Sequence, residues 1–158
     1  MLGMASEFVK RQKQDFFRDI TSLGSLDLYI IILLSFLIFK NYFLFRRLLI
    51  GLIIIYAVVV VIKVFYFKDR PVKFPHSSFI DRLDASSFPS LHASRTAFLC
   101  AAFISYVNNA TISVILILLA ATVCYSRIYL KKHDFSDVSA GILLGVIVYY
   151  IVNSINFI

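Results

Sequence analysis

From Leu48 to Ile62 the chain runs fifteen residues without a charge, and all but Gly51 are hydrophobic. A helix built from this stretch has no polar face to turn toward water, so it is buried on every side by protein or by lipid. A helix crosses a hydrocarbon core of about 30 Å with roughly 20 residues. Runs of this character recur, and they predict membrane spans over about Leu26–Phe45, Leu48–Phe67, Ser90–Val107, Thr111–Tyr129 and Asp137–Phe157. The expected fold is therefore all-α, a polytopic membrane bundle of about five transmembrane helices. Composition agrees. Sixty per cent of the 158 residues are hydrophobic and mean hydropathy is +0.86, whereas a soluble domain is about 45–50% apolar. Disorder is excluded and an ordinary soluble globule is disfavoured. Five spans consume most of the chain, so a single domain over residues 1–158 is expected, with 1–25 as an interfacial segment and 26–158 as the bundle.

The polar remainder is unevenly spread. Residues 5–22 carry Phe8, Val9, Phe16, Phe17 and Ile20 between charged neighbours, the pattern of an amphipathic helix lying in the interface. No continuous apolar core of signal-peptide length is expected there. Lys40 sits near the end of the first span, where its stem can snorkel, and Arg46-Arg47 are expected to form the turn into the second. Residues 68–88 hold two prolines and seven charges and predict a polar loop, in which Lys68, Lys73, His76 and Arg82 are by default solvated. Cys100 and Cys124 lie in apolar runs and fit as small core residues.

Threading the five spans puts all nine acidic residues, all three histidines and 13 of the 16 lysines and arginines on one side of the membrane. Three clusters meet on that side. Lys63 and Arg70 are seven apart and share a helix face if the second span extends that far. Pro89, Ser90, Leu91 and His92 open the third span, where proline favours a helix start and the first amides lack partners, giving a locus for anions. Ser126, Arg127, His133 and Asp137 follow, and a helix beginning near His133 would let Asp137 accept from one imidazole nitrogen and free the other. Taken singly these clusters also read as lipid anchors, an interfacial histidine and a capping aspartate. Together they supply two imidazoles, a carboxylate, three cations and a helix terminus, which suits phosphate chemistry. A metal on His92 and His133 is disfavoured because five cations (Lys63, Arg70, Arg127, Lys131 and Lys132) surround them. No metal or other cofactor is expected.

Lys63-x6-Arg70-Pro71, Pro89-Ser90-Leu91-His92 and Ser126-Arg127-x5-His133-x3-Asp137 together resemble the three-part signature of the type-2 phosphatidic acid phosphatase superfamily, which is related to the vanadium haloperoxidases. Two features depart from the family pattern: Leu91 stands where glycine is usual, and five spans are counted where many membrane members have six. The resemblance implies a membrane lipid phosphatase. His133 would be the nucleophile that forms a phosphohistidine, Asp137 would hold its tautomer, and His92 would protonate the leaving oxygen. Lys63, Arg70, Ser90, the Leu91 amide, Arg127 and, more weakly, Ser126 would hold the phosphoryl oxygens.

A site at span ends favours a lipid phosphate as partner, presented from the bilayer, over nucleic acid. A polyprenyl phosphate or diphosphate suits a body with little soluble mass. Phosphatidate or phosphatidylglycerol phosphate is the alternative substrate. A lipid phosphotransferase using the same residues and a non-catalytic lipid-binding or transport protein are the competing functions. Arg95 is expected either to reach a second phosphate or to snorkel. The basic bias would put the active face in the cytoplasm, whereas the resemblance favours the outer face of the cell membrane, which is the expectation adopted. Oligomeric state is not legible in the sequence.

Overall fold

In the computed structural model residues 2–72 and 78–155 are described, and among them all regular structure is helical. Lys73 and His76 lie outside the described residues. Seven α-helices follow in order: α1 (Leu2–Thr21), α2 (Leu26–Ile38), α3 (Tyr42–Phe65), α4 (Phe79–Ala85), α5 (Leu91–Val107), α6 (Ala110–Tyr129) and α7 (Phe135–Ser154), with a 3-10 turn at Ser22–Gly24. Six of the helices start on a side-chain cap. The acceptors are Ser25, Asn41, Ser78, Ser90, Asn109 and Asp134, each taking a bond from an amide three residues on. These caps satisfy backbone donors that the first helical turn leaves without partners.

Three helices are long and apolar enough to cross a membrane: Tyr42–Phe65, Ala110–Tyr129 and Phe135–Ser154. The first expected span is cut short. α2 has 13 residues, about 20 Å at 1.5 Å per residue, and it meets the length and apolarity of a span only together with Glu7–Gly24, from which it is bent by 43°. Phe39, Lys40 and Asn41 make the turn, with Lys40 at φ 58° and Asn41 capping α3. Arg46 and Arg47 therefore lie inside α3 rather than in a turn, because the Asn41 cap starts the helix before them. α5, with 17 residues, is the most enclosed helix; its first three turns bury Ala93, Ser94, Arg95, Thr96, Ala97, Phe98 and Leu99.

α5 and α7 hold the two halves of the site together. A Cβ on Gly141 would come within 2.6 Å of the Ser90 carbonyl oxygen, and one on Gly145 within 2.3 Å of the Ser94 carbonyl oxygen. Only hydrogen fits there, and the two backbones touch. The Ser90 amide donates to the Asp137 carbonyl across this seam at 3.0 Å. Gly51 on α3 gives the same close approach to the ring of Phe98, the centre of an aliphatic core with Tyr29, Leu48, Ile55, Val59 and Val148. α1 packs Phe17 against Tyr125 and Tyr129 of α6, while Phe8, Val9 and Phe16 stay exposed.

Candidate active site

The site forms where the C-terminus of α3, the N-termini of α5 and α7 and the C-terminus of α6 meet. α3 ends at Phe65, and Tyr66 is extended, so Lys63 and Arg70 do not share a helix face as their spacing suggested. The segment after α3 instead doubles back over α4. Lys63 Nζ donates to the Leu83 carbonyl at 3.0 Å, and Arg70 Nη2 donates to the next one, Asp84. Both carbonyls belong to the last turn of α4, whose oxygens lack helical partners and attract cations. Ser86 and Ser87, both fully buried, fasten the 68–69 segment to the start of the loop before α5: Lys68 N donates to Ser86 Oγ, Ser87 N to Lys68 O and Ser87 Oγ to Asp69 O. Nothing in the sequence singled out these serines.

Pro89 precedes α5 rather than occupying its first turn, and the Phe88–Pro89 peptide is cis. Ser90 is the N-cap, fully buried, with Oγ accepting from Ala93 N at 3.4 Å; its hydroxyl proton remains available to an acceptor. Leu91 follows as the first helical residue and packs its side chain on the core, so only its amide is available at the site. His92 lies one residue further on. Its Nδ1 is 3.5 Å from Nη2 of Arg95. Arg95 neither snorkels nor reaches outward. It is 3% exposed, donates to the Gly24 carbonyl and to the Tyr56 hydroxyl, and stands behind His92. A buried guanidinium needs such acceptors, and the 3-10 turn and α3 supply them.

α6 closes with Lys131 at φ 54°, after which Lys132 N and His133 N both donate to the Arg127 carbonyl. This tight return swings His133 back over the end of the helix. α7 starts at Phe135, with Asp134 as N-cap and a capping box in which the Asp137 side chain accepts from Asp134 N. His133 thus lies outside the helix that the i,i+4 spacing assumed. Its Nδ1 still sits 3.6 Å from Asp137 Oδ2, longer than a hydrogen bond. His133 Nδ1 and Arg127 Nε are buried without hydrogen-bond partners. Ser126 Oγ is turned inward, donating to Val123 O.

The Asp137 carboxylate is fully buried and fixed from two directions. Oδ2 takes the Asp134 amide at 3.1 Å, and Oδ1 takes Lys68 Nζ at 2.8 Å. Lys68 also bonds Asp134 Oδ2 at 2.6 Å and Ser136 Oγ at 2.8 Å. The default reading of Lys68 as a solvated loop residue is therefore corrected: two carboxylates draw it in. Against the cost of burial, those bonds hold its ammonium above the usual lysine range.

Charge at the site is predominantly positive. His92 lies within electrostatic reach of Arg127, Arg95, His133 and Lys132, and Arg127 within reach of Arg70 and Arg95. Burial, then the positive charges of Arg127 and Arg70, lower the His133 imidazole to about 4, with Asp137 opposing them. Burial and these cations thus favour the neutral ring of His133. Lys63 and Arg127 have no carboxylate within 4 Å among the described residues. Arg127 Nη1 is held by Thr21 Oγ1 at 3.0 Å, a contact from the N-terminal helix that spacing could not reveal. Among the described residues no three His, Cys, Asp or Glu side chains converge on a possible metal.

Buried cations short of counter-charge, set near two imidazoles at one end of an apolar bundle, suit the binding of a phosphoric ester. The chain belongs to the PAP2 superfamily, which matches residues 44–157 and so takes in all three motif segments. It is an integral membrane lipid phosphatase of that family. Its structure is similar to LpxE of Aquifex aeolicus, with TM-score 0.76 and 25% identity over 91% of this chain and 87% of that one. It is also similar to the first transmembrane PAP2-type phosphatidylglycerolphosphate phosphatase from Bacillus subtilis, with TM-score 0.72 and 23% identity over 90% and 75% of the two chains. The second likeness is one of fold.

Proposed function

We propose that the protein hydrolyses a polyprenyl phosphate or diphosphate through a phosphohistidine on His133. The supporting observation is the buried His133–Asp137 pair set against His92, with Lys63, Arg70 and Arg127 around it. The lone pair of His133 Nε2 attacks phosphorus while Nδ1–H faces Asp137. The bond from phosphorus to the leaving oxygen breaks, and His92, as the imidazolium, gives its Nε2 proton to that oxygen and becomes the neutral ring. Water then attacks phosphorus, His92 takes up its proton, and the phosphorus–nitrogen bond breaks to release phosphate. Lys63, Arg70, Arg127, the Ser90 hydroxyl and the Leu91 amide hold the equatorial oxygens, and Ser126 supports the turn carrying Arg127. Preorganised donors of this kind are usually the largest contribution to phosphoryl transfer. Lysine and arginine carry the charge in this scheme, so no step calls for a metal.

Arg95 is a positioning residue in this scheme. Its guanidinium, 3.5 Å from Nδ1 of His92, fixes the ring and, in the resting neutral form, favours the proton on Nε2; the ring serves as the acid once it has taken up a second proton.

A slender lipid tail is favoured by an apolar groove of about 310 Å³ between α5, α6 and α7, floored by Ala97, Ala101, Ala120 and Ala121. It runs alongside α5 and α6, whose site-facing ends carry His92 and Arg127. α1 is read as the interfacial segment of a single-domain chain, and the active rim as facing outward. Labelling of a cysteine introduced at the exposed Lys131 in oriented vesicles tests that sidedness.

Phosphate release from detergent-solubilised prenyl and glycerol lipid phosphates, with and without chelator, tests the activity. Prenyl substrates turning over fastest, unaffected by EDTA and blocked by vanadate, support the proposal. Faster turnover of glycerolipid phosphates would overturn the prenyl assignment. Transfer product without free phosphate would make the protein a phosphotransferase.

A further inference from the structure

The rim opposite the site carries Lys40, Arg46 and Arg47, but none of the nine acidic side chains of the chain lies there. A cavity of about 160 Å³ opens at this rim where the start of α3 meets the ends of α5 and α7. Arg47, Ser105, Tyr106 and Asn153 line its polar part, and Phe98 and Val152 its apolar part. Along α5, Ser105 is 13 residues beyond His92, about 20 Å at 1.5 Å per residue, so this cavity is separate from the phosphatase site.

The Arg47 guanidinium stacks on the ring of Phe43 at 4.1 Å, and its Nε is buried without a hydrogen-bond partner. Tyr106 accepts from the Asn41 side chain at 3.1 Å, which leaves its own hydroxyl proton to give. Ser105 and the Asn153 amide add further donors. A cationic, donor-rich recess at headgroup depth, continuous with an apolar part, lacks one thing that the protein does not provide: an anion with a hydrocarbon attached.

We propose that this cavity binds the headgroup phosphate of an anionic phospholipid from the leaflet opposite the active site, with Arg47 as its anchor. The lipid is a resident ligand, not a substrate, since among the described residues no imidazole or carboxylate side chain lies at this rim to act on it. The inference depends on the membrane embedding of the chain and not on the proposed phosphatase chemistry. A phosphodiester headgroup satisfies the guanidinium, and its first methylenes meet Phe98 and Val152.

Native mass spectrometry of the full chain, extracted in mild detergent and supplied with phosphatidylglycerol, phosphatidylcholine or inorganic phosphate, tests this. An active-site variant, His133→Ala with Arg127→Gln, serves as background and removes phosphatidylglycerol bound at the catalytic rim. One phosphatidylglycerol adduct is expected on that background. It should weaken about tenfold with Arg47→Gln, the loss of a charged hydrogen bond, and less with Arg47→Lys. Ser105→Phe, whose ring at this exposed lining position fills the recess while sparing the charge, should likewise weaken the adduct about tenfold or more. Retention at the background level in either Arg47→Gln or Ser105→Phe overturns the proposal, as does equal retention of phosphatidylcholine. Displacement of the adduct by millimolar inorganic phosphate would show a site for a free anion instead.

Discussion

Lys68 and Asp137 lie 69 residues apart in the chain, yet Lys68 Nζ stands 2.8 Å from Asp137 Oδ1. The same ammonium ties Asp134, the N-cap of α7, so one side chain fixes both the helix start and the carboxylate that faces His133. Lys68 touches no proposed substrate position; it acts through Asp137. Replacing it with methionine is expected to lower kcat by about 10- to 100-fold, the cost of misplacing a reacting group by about 1 Å, while KM changes little. Lys68→Arg should recover most of the loss. Equal effects of both variants on KM would place Lys68 at the substrate instead.

The neutral state of His133 sets the acid side of the pH profile. With its pKa lowered to about 4 by burial and by Arg127 and Arg70, the nucleophilic lone pair is present throughout the neutral range. It is lost only as pH falls toward about 4. Removing a positive neighbour with Arg127→Gln should raise that midpoint, and removing the negative one with Asp137→Asn should lower it. Titration of the His133 ring by NMR in the detergent-solubilised protein checks both signs. An unchanged midpoint in both variants would contradict this account of the electrostatics.

Arg95 is expected to set the protonated nitrogen of His92. In the wild type, nitrogen chemical shifts should report the proton on Nε2. Arg95→Gln should redistribute it between the two nitrogens and slow the leaving-group step, most for substrates with poor leaving groups. Rescue by a substrate with an activated leaving group separates this role from simple misfolding, because an acid matters least where the leaving group needs no proton.

The seam between α5 and α7 is a stability element as well as a scaffold. A side chain at Gly145 drives its Cβ against a main-chain oxygen that cannot rotate away. Gly145→Leu is expected to cost about 1–3 kcal/mol or more as an overpacked contact, and to separate Ser90 from Asp137. Thermal unfolding should fall, and activity should fall with it even below the melting temperature.

Much of this site could be read from the sequence because its chemistry is carried by short, local spacings. Ser90 and His92 ride on one helix start, and Arg127, His133 and Asp137 share one return between helices. The apolar runs likewise announced long apolar helices, of which three among the described residues are long and apolar enough to cross a membrane. What escaped was long-range or set by caps. Asn41, not Arg46-Arg47, ends the first turn, because an amide side chain placed to accept from Leu44 outweighs a pair of charges as a helix signal. Lys63 and Arg70 meet through the last carbonyls of α4, a seven-residue helix hidden in a loop whose composition reads as merely polar. Lys68 and Arg95 were ambiguous because a lone cation carries no mark of the distant acceptor that will bury it. Thr21 reaching Arg127 belongs to the same class.

The central claim is that His133 forms a covalent bond to phosphorus while His92 serves the leaving oxygen. The direct measurement is rapid quenching in base of a single turnover with lipid labelled in its phosphoryl group. Label should appear on the protein as an acid-labile, base-stable adduct at His133, persist longer in His92→Ala and be absent in His133→Ala. Turnover of labelled lipid with no protein-bound phosphoryl group in either the wild type or His92→Ala would contradict it.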